Sequence, residues 1–207
     1  MKTKRSSSFF VLIFCRAYVA LSFSLFSCNI TPGIIPAEKE SVLFTQVKKK
    51  SYVALIEGMQ PLSGESMGLL EQRLSSVRGL SVCATSGNHD AHMPVIREAH
   101  KNHQKIYIAG FSVGEAEAIS LAGDCQKEGI PVEKLFLLDG VKKVKIPRAV
   151  KSAVDIVGTS PWMFRRSTRY SGSDFEDLKT SISYYKVNGG HLGVPAQSYD
   201  IMLSGFQ

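Results

Sequence analysis

Six short runs of apolar and β-branched residues recur along the chain, and polar, glycine-containing turns separate them. Most of these runs are continuous rather than alternating, which is typical of strands buried on both faces of a parallel sheet. The runs predict strands at residues 52–56, 80–85, 105–109, 134–138, 153–157 and 182–187. A further, short edge strand is expected at residues 42–45.

Segments with helical periodicity lie between these runs. One of them keeps its apolar residues on a single face and ends at Gly79. That face carries Met67, Leu70, Leu74 and Val77. Further helices are expected at residues 94–103, after residue 114, and at residues 196–203. Strands that alternate with helices predict an α/β fold: a three-layer sandwich with a mostly parallel sheet of about six strands.

The stretch 159–180 interrupts this alternation. It is polar, charged and rich in glycine and serine. We expect it to form a mobile loop or lid.

The first 27 residues have the pattern of a targeting segment. Residues 1–8 are polar and positively charged, and residues 9–27 are strongly apolar apart from Arg16. The run ends in Leu-Phe-Ser-Cys, which resembles a bacterial lipoprotein signal, where the cysteine, here Cys28, is lipidated and becomes the mature N-terminus. An ordinary secretory signal cut nearby and an uncleaved membrane anchor are the alternatives.

The expected organisation follows from these patterns. It comprises a signal peptide at 1–27, a tether at 28–50 and one α/β domain at 51–207. The expected location is the periplasmic side of a bacterial membrane, with attachment through the N-terminal lipid or anchor.

The charge of the chain argues against a nucleic-acid partner. The formal net charge is +7, but four basic residues lie in the targeting segment: Lys2, Lys4, Arg5 and Arg16. Without them, 21 basic residues stand against 18 acidic ones, a net charge of +3. Local basic runs at 142–151 and 165–169 carry no nucleic-acid motif, so we interpret both as solvated loop surface.

The remaining cysteine and histidine spacings predict no disulfide and no metal site. Cys83 lies in a predicted strand and Cys125 on the apolar face of a predicted helix, which favours small buried hydrophobes over a redox pair. His89 and His92 have metal-ligand spacing, but no third ligand accompanies them. A metal is therefore not expected.

Residues 105–129 combine strand, turn and helix patterns with reactive chemistry. Five strand-forming residues lead into the sequence Gly-Phe-Ser-Val-Gly at 110–114, and Gly129 stands where a helix C-terminal cap belongs. Strand, G-x-S-x-G and helix is the context of a nucleophile elbow, which holds its serine, here Ser112, on a strained turn. The residues two positions before and after the serine must then be small to avoid steric clashes in the turn, and Gly110 and Gly114 meet this need. The alternative is a glycine-rich turn with a surface serine.

A serine nucleophile needs a base and an orienting carboxylate. His191 follows the last predicted strand in a glycine-rich loop, whereas His100 and His103 are expected on the surface. Asp139 ends the strand after the elbow, and Asp155, inside the next strand, is the alternative acid. If these residues are not catalytic, His191 would be a solvent-exposed loop histidine, and Asp139 a helix N-cap or turn-forming residue.

The oxyanion of the reaction would be bound by two backbone N–H groups. One belongs to Val113, the residue after the nucleophile. The other is expected from Met59, in the loop after the first strand.

Residues 51–193 resemble a compact α/β-hydrolase of the bacterial lipase and thioesterase kind. The resemblance rests on the Gly58-Met59 turn, the elbow at 109–114, the Asp-ending strand at 136–140 and the late His191-Leu192 pair. The sequence departs from that pattern in two places: Phe111 stands where a histidine is usual, and Glu115 where a small residue is common.

These observations predict an exported serine hydrolase that cleaves a small-molecule or lipid ester or thioester. Ser112 would attack, His191 would transfer the proton and Asp139 would orient His191, without any cofactor. The alternative is a catalytically inactive hydrolase-fold envelope protein with a binding or structural role.

Overall fold

The computed structural model describes residues 49–59, 64–160 and 168–206. Strands and helices alternate along this part of the chain. The strands are β1 (Ser51–Glu57), β2 (Leu80–Ser86), β3 (Lys105–Phe111), β4 (Lys134–Leu138), β5 (Ser152–Gly158) and β6 (Ser181–Val187). The helices are α1 (Gly64–Ser75), α2 (Met93–Lys101), α3 (Gly114–Lys127), α4 (Val194–Gln197) and α5 (Tyr199–Ser204).

The six strands form one sheet in the order β2-β1-β3-β4-β5-β6, and every neighbouring pair is parallel. Each of the six predicted internal strands lies inside an observed strand that is at most two residues longer at either end. The predicted α/β architecture is confirmed, and the described sheet is entirely parallel. Continuous apolar runs located the central strands β1, β3, β4 and β5 well because a central parallel strand buries both of its faces. The edge strands β2 and β6 are less buried.

Strand β1 shows how the core divides into two layers. All of its residues are buried, and alternate side chains point to opposite faces of the sheet. On one face, Tyr52, Ala54 and Ile56 pack with α2 and α3. On the other face, Val53 and Leu55 pack with α1 and α5. Helices therefore cover both faces of the sheet and complete the three-layer sandwich.

The strand order places a crevice beside the end of β3. The chain passes from β1 to β2 on one side and then returns to add β3 on the other side of β1. At such a reversal the loops that follow the two central strands diverge, and parallel α/β sheets bind ligands there. The predicted elbow and the Gly58-Met59 turn both emerge at this point.

The C-terminal helix differs from its prediction. Residues 196–203 were expected to form one helix, but α4 and α5 meet at Ser198. The buried Ser198 hydroxyl donates a hydrogen bond to the carbonyl of Val194 at 2.7 Å. Such bonding to the preceding turn competes with regular helix geometry.

The stretch 168–180 is more ordered than a polar loop would suggest. It contains a short 3₁₀ turn, Gly172–Asp174, and it buries the side chains of Tyr170 and Phe175 in the core. Phe175 also forms a parallel bridge with Ile146. This part of the predicted mobile loop is therefore anchored, and residues 161–167 lie outside the described residues.

The predicted signal peptide, Cys28 and the edge strand at 42–45 lie outside the described residues, as do residues 28–48 of the tether. Among the helices that the structure describes, none has both the length and the apolar character needed to cross a bilayer.

Cys125 is buried, as predicted, whereas Cys83 is only partly buried. Both cysteines are free thiols. Burial raises the pKa of the Cys125 thiol to about 12. In the first basic run, Lys143 pairs with Asp174 at 2.7 Å.

His92 occupies the core rather than a metal site. Its ring nitrogens lie 2.8 Å from the Tyr52 hydroxyl and 2.9 Å from the Thr85 hydroxyl, and the residue is fully buried. Burial lowers the pKa of His92 from 6.5 to about 4. The ring is therefore neutral at physiological pH.

Acidification should destabilise the protein through His92. The unfolded chain binds a proton at this histidine near pH 6.5, but the folded protein binds it only near pH 4. The free energy of unfolding should therefore be highest above pH 6.5 and fall as the pH drops to 4, by up to about 3 kcal/mol from this residue. Urea unfolding at several pH values should show this loss in the wild type.

The matched variants are His92→Gln and His100→Gln, since His100 is exposed. His92→Gln should lose this part of the pH dependence and His100→Gln should keep it. Equal pH dependence in wild type and His92→Gln would contradict the assignment.

Candidate active site

The turn between β3 and α3 is sterically tight, as predicted for a nucleophile elbow. Ser112 has a φ of +58°, in the left-handed region that residues with a Cβ rarely adopt. A Cβ at Gly110 would lie 2.5 Å from the carbonyl oxygen of Gly114 and 2.6 Å from the Cβ of Ala118. A Cβ at Gly114 would lie 2.4 Å from the carbonyl oxygen of Glu57. Both glycines are therefore required by their surroundings.

The sheet holds the strained serine in place. The Ser112 N–H donates a hydrogen bond to the carbonyl of Leu138 in β4 at 2.9 Å, and the Ser112 carbonyl accepts one from Glu115 N–H at 3.3 Å. The first bond continues the β3–β4 ladder beyond the end of β3. The residue is only 7% exposed.

His191 lies 79 residues after Ser112 in the chain and meets it at the same edge of the sheet. It begins a 3₁₀ turn, His191–Gly193, after β6. Its Nε2 lies 3.0 Å from Ser112 Oγ, and the histidine is 7% exposed. The loop is held by Ser160 N–H, which donates to the carbonyl of Gly189 at 3.1 Å. The φ of Gly189 is +112°, a conformation that favours glycine.

Asp139 is the carboxylate that the structure brings to His191. Its Oδ2 lies 2.7 Å from His191 Nδ1, and its Oδ1 accepts a hydrogen bond from Gly158 N–H at 3.4 Å. Asp139 is fully buried and has a φ of +48°. Its N–H donates to the carbonyl of Ile156 at 2.8 Å, which ties the turn to β5.

Strand register explains why Asp155 occupies a different level of the sheet. Asp155 pairs with Leu137 of β4, so it lies two residues below Asp139 along the strand direction. At about 3.3 Å per residue, that separation is roughly 7 Å. Asp155 is therefore a buried residue of the strand, whereas Asp139 lies just past the end of β4.

The two residues proposed to bind the oxyanion flank Ser112. A Cβ at Gly58 would lie 2.8 Å from the Cβ of Ser112 and 3.4 Å from its Oγ, so the Gly58-Met59 segment passes directly beside the serine. Val113 is the N-terminal cap residue of α3. The first N–H groups of a helix have no acceptor within the helix, and they carry its positive dipole end.

Phe111 contacts the imidazole of His191. The two rings stack with centroids 4.7 Å apart and an angle of 29° between their planes, and Phe111 is fully buried. The residue that departs from the family pattern in the sequence therefore supports one face of the histidine.

Two buried residues near the site were missed as site residues by sequence reasoning. Glu115 accepts hydrogen bonds from the N–H of Gly140 and from the hydroxyl of Tyr170, both at 3.1 Å. Glu115 was visible in the sequence only as a departure from the usual small residue. Tyr170 lies in a polar stretch without periodicity, so no pattern indicated its burial.

The other histidines do not take part in this arrangement. His92 is in the core, and His100 and His103 are exposed, as predicted. Among the described residues, one group can bring three metal-ligand atoms together, and it consists of His89, Asp90 and Asp124. His89 Nδ1 is bonded to Glu117 at 2.6 Å, so His89 is already paired with carboxylates. Both ring nitrogens of His92 are bonded in the core, so His92 is not part of this group.

Comparison with known proteins identifies the fold. No protein-family model matches the chain, and no curated protein matches it. The esterase domain of a Rhodothermus marinus protein has a TM-score of 0.52 at 10% identity, over 77% of this chain and 87% of that one. A protein of unknown function from Agrobacterium tumefaciens, provisionally assigned to the α/β hydrolases, has a TM-score of 0.52 at 16% identity, over 76% and 83%.

A third similar structure is the NocB thioesterase domain in covalent complex with a fluorophosphonate nocardicin G analogue. It has a TM-score of 0.50 at 12% identity, over 76% of this chain and 95% of that domain. These similarities show that the described domain has the α/β-hydrolase fold.

Replacing Gly114 by alanine should destabilise the fold. The new Cβ would lie 2.4 Å and 2.6 Å from the carbonyl oxygens of Glu57 and Ile56, which are backbone atoms that cannot rotate away. Such overpacking should lower the free energy of unfolding by about 1–3 kcal/mol or more, measured by urea unfolding.

Gly123→Ala is the matched control. Gly123 lies in the same helix, and the nearest atom to its added Cβ, Pro147 Cγ, is 3.8 Å away. This variant should be as stable as the wild type or more stable by up to about 1 kcal/mol. Equal stability of the two alanine variants would show that the close contact at Gly114 is absent.

Proposed function

We propose that the protein is a serine hydrolase that cleaves an ester or thioester through an acyl-enzyme. The proposal rests on one observation: hydrogen-bond distances of 3.0 Å and 2.7 Å link Ser112, His191 and Asp139 in a continuous chain. The three residues come from loops after β3, β6 and β4, and they meet at the carboxyl edge of the sheet. This is the relation that a serine nucleophile needs with its base and its orienting carboxylate.

In the acylation step, Ser112 Oγ attacks the carbonyl carbon of the substrate and His191 Nε2 accepts the hydroxyl proton. The Asp139 carboxylate fixes the tautomer of His191 and stabilises the imidazolium that forms. The N–H groups of Met59 and Val113 bind the developing oxyanion. His191 then returns the proton to the leaving alcohol or thiol, and the acyl group stays on Ser112.

In the deacylation step, water attacks the acyl-enzyme. His191 accepts a proton from this water, and the second tetrahedral intermediate uses the same oxyanion donors. Collapse of this intermediate releases a carboxylic acid and returns the proton to Ser112. The cycle needs no cofactor.

The surface around the serine favours an apolar acyl group. Exposed apolar side chains belong to residues next to the site: Met59, Val113 and Leu192. The similar structures include an esterase domain and a thioesterase domain, which supports acyl transfer as the reaction class. A small-molecule or lipid ester with an apolar acyl chain is the substrate class that we propose.

We further propose that the protein is exported and attached to the periplasmic side of a bacterial membrane. The support comes from the basic and then apolar N-terminal sequence, which ends at Cys28. Thioether-linked lipid at Cys28 would hold the hydrolase at a lipid surface.

A fluorophosphonate probe should label the folded wild type at Ser112. Ser112→Ala should not be labelled, and its hydrolysis of p-nitrophenyl esters should fall by at least about 10³-fold. The panel should contain acetate, butyrate and octanoate esters, and kcat/KM should rise with the length of the chain. If the wild type is not labelled and Ser112→Ala is indistinguishable from it, the catalytically inactive alternative is favoured.

Replacing each candidate carboxylate by an amide should show whether Asp139 or Asp155 is the acid that orients His191. Asp139→Asn should lower kcat/KM by about 10³–10⁴-fold near neutral pH, because the amide favours the wrong tautomer of His191. Asp155→Asn should retain most of the activity of the folded protein, with folding checked by circular dichroism. A large loss in Asp155→Asn alone would assign the acid to Asp155.

Mass spectrometry of the mature protein from a bacterial host should find Cys28 at the N-terminus with attached lipid. Cys28→Ser should remove the lipid, so that the mass of the attached lipid is absent from this variant. An intact Met1 would contradict both cleavage by a lipoprotein signal peptidase and ordinary secretion.

A further inference from the structure

Glu115 is a buried carboxylate directly behind the proposed nucleophile. It is the second residue of α3, three positions after Ser112, and it is 1% exposed. A carboxylate is costly to bury unless hydrogen-bond donors satisfy it. Glu115 Oε2 accepts a hydrogen bond from Gly140 N–H, and Oε1 accepts one from the Tyr170 hydroxyl, each at 3.1 Å.

Gly140 and Glu115 fit each other closely. A Cβ at Gly140 would lie 2.2 Å from the carboxyl carbon of Glu115 and 2.3 Å from each carboxyl oxygen. Gly140 does not have a positive φ, so an alanine could adopt its backbone conformation. The contact with Glu115 is therefore the main obstacle to a side chain at this position.

The bond from Gly140 bears on the conformation of Asp139. Asp139 has a φ of +48°, which costs free energy in a residue with a Cβ. The peptide that joins Asp139 to Gly140 carries the N–H that Glu115 binds. The peptide on the other side of Asp139 is held by the bond from Asp139 N–H to the carbonyl of Ile156. Fixing both peptides fixes the backbone of Asp139, and with it the direction of the Cα–Cβ bond that carries the carboxylate toward His191.

Tyr170 links Glu115 to the segment that follows β4. Its hydroxyl accepts a hydrogen bond from Val144 N–H at 3.2 Å and donates one to Glu115. The carbonyl of Tyr170 accepts a hydrogen bond from the Tyr184 hydroxyl of β6. Through Tyr170, the segment after β4 is linked by hydrogen bonds both to α3 and to β6.

We propose that Glu115 is a positioning residue for Asp139. By binding the N–H of Gly140, it holds Asp139 in the left-handed conformation that directs its carboxylate to His191 Nδ1. Glu115 does not touch the reacting atoms in this role. The inference rests on the proposed hydrolase function, and the experiments below test the two separately.

The first experiment compares kinetic constants of variants at position 115. Glu115→Ala should lower kcat by about 10–100-fold with KM changed less than about 2-fold, because a misdirected Asp139 weakens the base without altering substrate contacts. Glu115→Gln keeps a carbonyl oxygen for Gly140 N–H and should recover most of the activity. Glu117→Ala is the matched control, since Glu117 lies in the same turn of α3 but bonds His89.

A loss of folded protein must be distinguished from a loss of positioning. The fraction of active sites is counted by fluorophosphonate labelling, and kcat is expressed per labelled serine. A merely structural role would lower the labelled fraction and the melting temperature but leave kcat per site unchanged, and that result would overturn the proposal.

The second experiment uses the contact between Gly140 and Glu115. Gly140→Ala should lower kcat in the wild type, because its Cβ displaces the Glu115 carboxylate. The same substitution in the Glu115→Ala background should add little, since the clash is gone. Additive effects of the two substitutions would contradict a shared action on Asp139.

The third experiment needs no substrate. A proton on His191 Nδ1 that bonds Asp139 should give a far-downfield proton NMR signal, and Asp139→Asn should identify this signal by its loss. Glu115→Ala should shift or broaden this signal, and Glu117→Ala should leave it unchanged. An unchanged signal in Glu115→Ala would overturn the inference.

These readouts separate the inference from the proposed function. If the wild type neither labels nor hydrolyses esters, the hydrolase function fails and the NMR signal still decides whether Glu115 positions Asp139. If the wild type is active but Glu115→Ala has wild-type kcat per site and an unchanged signal, the function stands and the inference falls.

Discussion

The end of β1 and the turn between β3 and α3 are in backbone contact, and the candidate site depends on this close approach. A Cβ at Gly114 would lie 2.4 Å from a carbonyl oxygen of β1, and a Cβ at Gly58 would lie 2.8 Å from the Cβ of Ser112. Because no side chain fits between the two segments, the N-terminus of α3 and the Gly58-Met59 turn meet at the serine. The proposed nucleophile and the proposed oxyanion donors thus lie together at the reversal of the sheet.

The strain of the site is distributed over neighbouring strands. Ser112 and Asp139 are both non-glycine residues with left-handed backbone conformations, and they follow the adjacent strands β3 and β4. Each donates its N–H to the next strand along the sheet, at 2.9 Å to Leu138 and 2.8 Å to Ile156. The ladder therefore continues through the strained residues, and a rigid sheet compensates a conformation that is unfavourable locally.

Support for the proposed catalytic residues comes from buried groups that do not face the substrate. Phe111 stacks on His191, and Glu115 binds the peptide that follows Asp139. These are the two positions at which the sequence departs from the pattern of the hydrolases that it resembles. Their contacts indicate that both departures help to hold the proposed catalytic residues in position.

Some features were open to sequence reasoning because they depend on local order along the chain. Short runs of apolar and β-branched residues identified six strands, and the G-x-S-x-G spacing identified a turn in which Gly110 and Gly114 must be small. The burial of Tyr170 and Phe175 was missed, because their partners are remote in sequence and the surrounding residues are polar. The spacing of His89 and His92 was judged insufficient for a metal site, but the burial of His92 against Tyr52 in the core was not predicted.

The sequence alone determined the elements, their alternation and the types of the proposed catalytic residues, since periodicity and turn chemistry act over a few neighbouring positions. Tertiary structure decided which carboxylate meets His191. The sequence favoured Asp139, at the end of a predicted strand, over Asp155, inside the next one, and left the second open. The register of β4 and β5 sets Asp155 level with Leu137 and leaves Asp139 at the edge beside the histidine. The partners of Glu115 were decided in the same way, because they come from segments 25 and 55 residues away. Strand order and register are properties of the whole packed sheet, so no local pattern contains them.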